Sequence, residues 1–495
     1  MWLILLSICV VLVLWFLFRT VNRDYWKKRN VVQLNKDLFV KFLFGDQSLS
    51  EVYKDVYEAH PNEPYVGAFL NTKPALILRE LQNIQAVLVG DFESYHSRGI
   101  DFNDNDILAD NILSISHYER WKTIRQKMTP LFTSSKLKSM TSVIEKSARD
   151  FVTMVKNKKE MREKPFIALY TYTTASIGAS VFGIDTHTKD TMDSPFLEMS
   201  FKSVEPSFLG NLRVTISSLS PTLFKILRIK VFGDHEEFFI GAVKKALTAR
   251  RNNPQPVNDF IGLCMELQKA GTMTDKSTGY EVEPTDLVLA AQAFFFFIAG
   301  TDTGANTMHF TLLELSSNPD VLKRLHEEID KKFEETNEKI TYDDIDKLVY
   351  LDMVLNETMR KFPPVGLMQR VCTRDTVLPV GNLKVQKGVI TVTPVFAIHR
   401  DEKLFPDPEK FDPERFAPSN AANLPKFGYM PFGEGKRICI GSRYARIQVK
   451  VGLAFLLRSF TLKPQNYQPK RFEKSVFSLR DPDAKYELIL RENKD

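Results

Sequence analysis

Phe432-Gly433-Glu434-Gly435-Lys436-Arg437-Ile438-Cys439-Ile440-Gly441 is the most informative run in the chain. A lone cysteine is more often an inert buried thiol than a ligand, but its neighbours here argue otherwise. Gly435 and Gly441 permit tight turns and close backbone approach to a flat group. A helix starting near Gly441 presents free amides and a positive dipole end, which stabilise a thiolate. Arg437 supplies a cation for a carboxylate. Phosphate-loop readings fail. Gly433-x-Gly435-x-x is followed by Ile438 instead of glycine, and Gly428-x-x-x-x-Gly433 is followed by Glu434 instead of lysine.

Three further motifs lie upstream. Ala299-Gly300-Thr301-Asp302-Thr303-Gly304 falls inside a proline-free helical stretch from about Thr285, a cap, to Ser317, with Pro319 ending it. Phe294-Phe295-Phe296-Phe297-Ile298 precedes it, so the helix is apolar all round and buried. Gly300-x-x-x-Gly304 matches a membrane dimer motif. However, Gln292, Asp302, Asn306, His309 and Glu314 interrupt the run, which argues against spanning. An acid and two hydroxyls beside two glycines are costly in a core; they make sense where a ligand and a proton path press against the helix. Glu357-x-x-Arg360 places two opposite charges on one helix face, and Arg415 in Phe411-Asp412-Pro413-Glu414-Arg415-Phe416 can complete a buried ion network. Trp121-x-x-x-Arg125 sets an indole N–H and a guanidinium on one face, where they can hold a carboxylate.

The 495 residues are ordinary in composition, 43% hydrophobic and 26% charged, which excludes a disordered or fibrous chain. A net charge of +6 is too diffuse to argue for nucleic acid. Four cysteines, Cys9, Cys264, Cys372 and Cys439, are too few for a disulfide framework and read as reduced thiols. Thirty-seven phenylalanines can build a large core and line a large apolar cavity. Residues Met1 to Phe18 carry no charge and span about 27 Å as a helix, close to a bilayer core. Arg19, Arg23, Lys27, Lys28 and Arg29 follow, the reverse of a cleaved signal peptide, so the run reads as a retained anchor with the rest of the chain in the cytosol.

No repeat, low-complexity tract or long linker interrupts the remainder. Residues 50–160 mix short strands and helices, and helical patterns dominate from about Lys136 to Asn337. Pro254 and Pro256 mark a loop. Ten of the 25 prolines fall between Pro363 and Pro431, which predicts short strands and meandering loop. A helix resumes after Gly441 to about Phe460, and the tail through Leu490 reads as strand. Residues 206–233 hold no acid but several cations and many apolar side chains. They fit either a buried helix pair or a surface element dipping into lipid headgroups.

In this order the motifs resemble the cytochrome P-450 family of haem-thiolate monooxygenases over nearly the whole chain. They are most similar to the microsomal branch and its insect detoxification members; Ala397-Ile398-His399-Arg400-Asp401 and Gln448-Val449-Lys450-Val451 carry that likeness. The resemblance implies a mainly α fold with a small β region, behind one transmembrane helix. It implies an anchor over 1–20, a basic juxtamembrane segment over 21–35 and a catalytic domain over 36–495.

The resemblance also assigns roles. Cys439 is expected to ligate the iron of haem b, a thiolate that favours O–O cleavage. Arg437, Trp121 and Arg125 are expected at the propionates, with Phe432, Gly435 and Gly441 shaping the loop. Thr303 and Asp302 are expected to organise protons, and Glu357, Arg360 and Arg415 to hold the meander beneath the haem. A large apolar pocket is expected from Phe102, Leu113, Phe295, Ala299, Val365, Leu367 and Phe477.

Electrons are implied to come from NADPH through a membrane-bound diflavin reductase, with cytochrome b5 a further partner. Lys122, Lys127, Lys436, Arg446 and Lys450 are the expected docking cations, and the endoplasmic reticulum membrane is the expected location. Three departures from the family pattern stand out. No proline-rich hinge follows the anchor, Lys436 stands where many members carry proline, and Leu367 stands where some carry a haem-binding arginine. Hydrophobic xenobiotics are the expected substrates. A dedicated hydroxylase of an endogenous lipid or hormone, an oxygen-independent isomerase and a non-enzymatic scaffold are the alternatives.

Overall fold

The computed structural model describes residues 24–34, 38, 41–42, 45–70, 73–100, 102–185, 194–204, 210, 213, 216–217, 221–253, 259–475 and 478–491. The expected anchor, the Pro254 loop, part of 206–233 and Phe477 lie outside the described residues.

Proline-free runs with apolar residues at helical spacing form the long helices. These are α1 (Leu49–Ala59), α2 (Tyr118–Met128), α3 (Ser134–Asn157), α4 (Pro165–Phe182), α5 (Gly233–Asn252), α6 (Asp286–Ser317), α7 (Pro319–Glu335), α8 (Val349–Lys361) and α9 (Ser442–Ser459). Thr285 caps α6, its hydroxyl accepting from the Val288 amide. Pro319 opens α7 at its first turn, where a missing N–H costs nothing.

By length and apolarity α6 could cross a membrane, but Leu289, Met308, Leu312 and Leu313 are buried among protein neighbours. Helices α4 and α9 press on it so closely that a Cβ at Gly300 would lie 2.6 Å from Ile177 Cδ1. One at Gly304 would lie 2.8 Å from Gln448 Oε1. The two glycines therefore let α4 and α9 pack closely on α6.

The proline-rich span breaks into short pieces, as missing amides require. Strands β1 (Tyr65–Leu70), β2 (Lys73–Leu78), β3 (Met368–Val371) and β4 (Ile390–Thr393) form one sheet in the order β1-β2-β4-β3. β2 and β4 run parallel, with Ala75 opposite Ile390, and the other pairs are antiparallel. β5 (Phe460–Leu462) pairs antiparallel with β6 (Leu488–Leu490). Trp26 is buried against this sheet, its indole N–H donating to the Ala68 carbonyl at 2.8 Å. The Leu34 amide donates to Gly67, and the Gly67 amide to Val32. Trp26, Val32 and Leu34, in the expected juxtamembrane segment, thus hydrogen-bond to the strand β1 residues Ala68 and Gly67.

Candidate functional site

The cysteine loop is closed by the Cys439 amide, which donates to the Phe432 carbonyl at 2.9 Å. Gly433 and Gly435 take φ of 76° and 73°, the left-handed region that favours glycine. A Cβ on Gly435 would strike the Leu88 carbonyl, so its bareness admits a neighbouring backbone. Gly441 caps α9 with φ of −93° and has ordinary room, its nearest contact being Phe132 Cε1 at 3.8 Å.

Cys439 presents accessible surface and yet is enveloped by protein. That combination marks a side chain on the wall of an internal hollow. Burial pushes the thiol up, while the Gly441 amide and the guanidiniums of Arg125 and Arg98 pull it down.

Four guanidiniums gather on this side. Arg437 donates to the Ile115 carbonyl at 2.9 Å and lies 4.3 Å over the Trp121 ring. Arg125 donates to Ile438 at 2.7 Å, Arg98 to Leu113 at 3.0 Å, and Arg370, on β3, to Gln369 at 2.8 Å. The buried Nε atoms of Arg437 and Arg370 have no hydrogen-bond partner, and none of the four has a carboxylate partner among the described residues. Burial, then mutual repulsion, lowers Arg437 to about 9. Burial lowers Arg370 to about 10. Arg98 is lowered well below its usual value by burial and by Arg370 and Arg437, and Arg125 is lowered by burial.

A dianionic flat cofactor ligated by sulfur fits this donor set, because two carboxylates would relieve the repulsion. Arg98 and Arg370 carry no local sequence signal.

The wall opposite is a stripe of α6. Phe295, Ile298, Ala299 and Thr303 are only half-buried in the middle of a mostly interior helix, and they share one face. The other three phenylalanines of the run point elsewhere: Phe294 onto Phe232 and Phe239, Phe296 onto Phe132 and Phe260, Phe297 onto Phe182 and Phe196. Residues 110–115 tie this helix to the cysteine loop. The Gln292 side chain donates to the Asp110 carbonyl and accepts from the Ile112 amide, while Arg437 and Arg98 hold the Ile115 and Leu113 carbonyls. Leu113 is thereby fixed between them.

Phe102 packs on Phe232 at 5.4 Å, in a roof stitched by Asn103 to the Phe224 carbonyl and by Asp106 to the Val231 and Phe232 amides. Val365 is exposed and bridges to Ser478. Leu367 does not join this wall. It is buried with Leu49, Val52 and Val392 on the α1 side of the sheet, and strand alternation turns Met368 toward Gly433 instead.

The Thr303 hydroxyl donates to the Ala299 carbonyl at 2.7 Å. Asp302, next along the helix, is buried on another face, with Tyr170 donating to it at 3.5 Å and the Arg480 guanidinium paired with it by charge at 3.6 Å. Burial raises its carboxyl and Arg480 lowers it. Beneath the cysteine loop, Glu357 and Arg360 form a bidentate pair at 2.7 and 2.8 Å with no solvent exposure. Arg415 approaches Glu357 at 3.5 Å, and Arg360 donates onward to the His399 and Pro408 carbonyls.

The expected docking cations divide. Lys450 is buried and paired with Asp352 at 3.0 Å, which removes it from any surface. Lys122 is held by Asp275 at 2.8 Å, and Arg446 by Asn356 at 2.9 Å and Asp352 at 3.6 Å. Lys127 and Lys436 have no carboxylate partner among the described residues, and Lys436 lies 5.2 Å over Phe92.

The family model described as Cytochrome P450 matches residues 35–488. Cytochrome P450 6B5 of Papilio glaucus is 35% identical over 471 residues, covering 92% of this chain and 97% of that protein. Probable cytochrome P450 6a13 of Drosophila melanogaster is 35% identical over 447 residues, 88% of each. Cytochrome P450 6k1 of Blattella germanica is 31% identical over 495 residues, 96% of this chain and 94% of that protein.

Proposed function

The chain belongs to the cytochrome P450 family of haem-thiolate monooxygenases, and on that premise we propose that it oxidises hydrophobic small molecules, xenobiotics among them, at a haem b held by Cys439. The observation that carries this reading is one accessible thiol enveloped by protein, near four guanidiniums that lack carboxylate partners among the described residues. Bound haem supplies dioxygen activation, and the thiolate donates the electron density that favours O–O cleavage. The chain's own residues do the rest. Arg98, Arg125, Arg370 and Arg437 hold the propionates, with Trp121 supporting Arg437. The Phe295, Ala299 and Thr303 face, with Phe102, Leu113 and Val365, excludes water and orients an apolar substrate. Phe477, outside the described residues, joins them in this reading. Thr303 holds a proton at its hydroxyl and Asp302 replenishes it.

Electrons come from NADPH through a diflavin reductase anchored in the same membrane, with cytochrome b5 as a second donor. Lys127 and Lys436 meet it. Residues 1–20 hold the catalytic domain on the endoplasmic reticulum membrane, facing the cytosol. Exposed Leu223, Ile226 and Leu227, beside Lys225 and Arg228, support lipid contact by the 206–233 segment. Turnover of a panel of hydrophobic compounds in reductase-supplemented membranes tests the reading. NADPH-dependent oxidation of several unrelated compounds is expected, and oxidation of one endogenous lipid alone would replace it with the dedicated hydroxylase.

A further inference from the structure

Arg480 lies in the segment joining β5 to β6 and is almost completely buried behind α6. The Glu473 amide donates to the Arg480 carbonyl at 2.7 Å and pinches the segment there. Two carboxylates share the guanidinium. Nη1 is 3.0 Å from Glu473 Oε2, and Nε is 3.6 Å from Asp302 Oδ1. At that second distance the contact is a charge pairing without a hydrogen bond, and Nε has no other partner. Phe166 packs on the guanidinium at 5.6 Å.

Around the Asp302 carboxyl stand Tyr170, Asn306 and Arg480, and Arg480 is the one cation acting on it among the described residues. A carboxylate buried without a cation takes up a proton instead of staying charged. Consecutive helical residues diverge by about 100°, so the buried Asp302 and the half-buried Thr303 present to different sides. Side-chain exposure rises along the network, from 2% at Arg480 to 26% at Glu473, so Glu473 is its solvent end.

We propose that Arg480 is a positioning residue that keeps the Asp302 carboxylate ionised and turned off the hollow, with Glu473 as the competing partner for the same guanidinium. A guanidinium drawn toward Glu473 releases Asp302, which can then take up a proton and turn toward Thr303. A guanidinium drawn toward Asp302 resets it. The consequence for proton supply rests on the reading of Asp302 given above. The hold of Arg480 on Asp302 does not.

The test is infrared difference spectroscopy of the haem-loaded full chain, reading the C=O stretch of a protonated carboxyl assigned by its loss in Asp302→Asn. At neutral pH the band should appear in Arg480→Met and be absent from the native protein and from Arg480→Lys. An Arg480→Met protein that binds haem and shows no such band overturns the proposal. Glu473→Gln, at the solvent end, provides a second arm if Arg480→Met fails to fold. Its Asp302 band should titrate at lower pH than in the native protein, and an unchanged or higher midpoint overturns the proposal. Peroxide release by Asp302→Asn tests the proton-supply reading separately.

Discussion

Arg437 stacks on Trp121, its guanidinium carbon 4.3 Å from the centre of the indole ring. Among the described residues the ring face is the one favourable partner it has besides two carbonyls, since Arg98, Arg125 and Arg370 repel it. A cation–π contact is worth about 0.5–2 kcal/mol, far less than a carboxylate partner would supply in a dry site. The cluster is poised for anions.

Arg437→Met should therefore lower haem retention by roughly 10- to 100-fold, the loss of a charged hydrogen bond of about 1.5–3 kcal/mol. The Soret absorbance per protein after gel filtration checks it. Arg437→Met should also make the haem-free protein easier to keep folded, because it removes a repelled buried charge.

Arg360→Ala should cost about 3–5 kcal/mol of stability, because it strands the Glu357 carboxylate where no water reaches. Chemical unfolding of the haem-loaded protein measures this. A cost under about 1 kcal/mol would class the pair with surface ion pairs.

How much of this was legible beforehand depended on range. The cysteine loop and α6 were readable because their signals are local: spacing, a capping threonine, proline punctuation. Arg98 and Arg370 were not, because an isolated arginine becomes a site residue only when tertiary packing buries it beside three others. Lys450 read as surface because a lysine usually is, and Asp352 on α8 decides otherwise. Leu367 was put in the pocket because its segment flanks the haem in the resembled family, which does not say which way one side chain turns; it packs with Leu49 and Val52. Trp26 gave no periodic signal, so its docking on Ala68 was invisible.

Acid should destabilise the fold through His309. Burial lowers it to about 4, and its Nε2 lies 3.0 Å from the Asp481 carbonyl. The unfolded imidazole titrates near 6.5. Between those values the unfolded state binds more protons, so stability falls as pH drops from about 6.5 and levels off near 4. The loss is about 3 kcal/mol. His309→Gln keeps a donor for Asp481 and does not titrate, so unfolding free energy should depend less steeply on pH across that window.

Thr303→Ala should raise peroxide released per NADPH consumed, with haem binding intact. The hydroxyl now donates to Ala299 at 2.7 Å and is the polar group on an otherwise apolar stripe. Unaltered coupling across several substrates would remove its role.

Reversing Lys127 and Lys436 to Glu should raise the Michaelis constant for the reductase, steeply at low salt, because such charges act over about 8 Å at physiological ionic strength. Peroxide-driven turnover should hardly change. A parallel fall in both activities would mean that the two lysines stabilise the fold.

The central claim is that Cys439 is the sulfur that holds the haem iron. The carbon-monoxide difference spectrum of reduced Cys439→Ser tests it most directly. An oxygen or water ligand donates less charge to iron than a thiolate, so the thiolate-type band of the native protein should be abolished in Cys439→Ser while the chain still folds. An unchanged thiolate-type band in that variant would contradict the assignment.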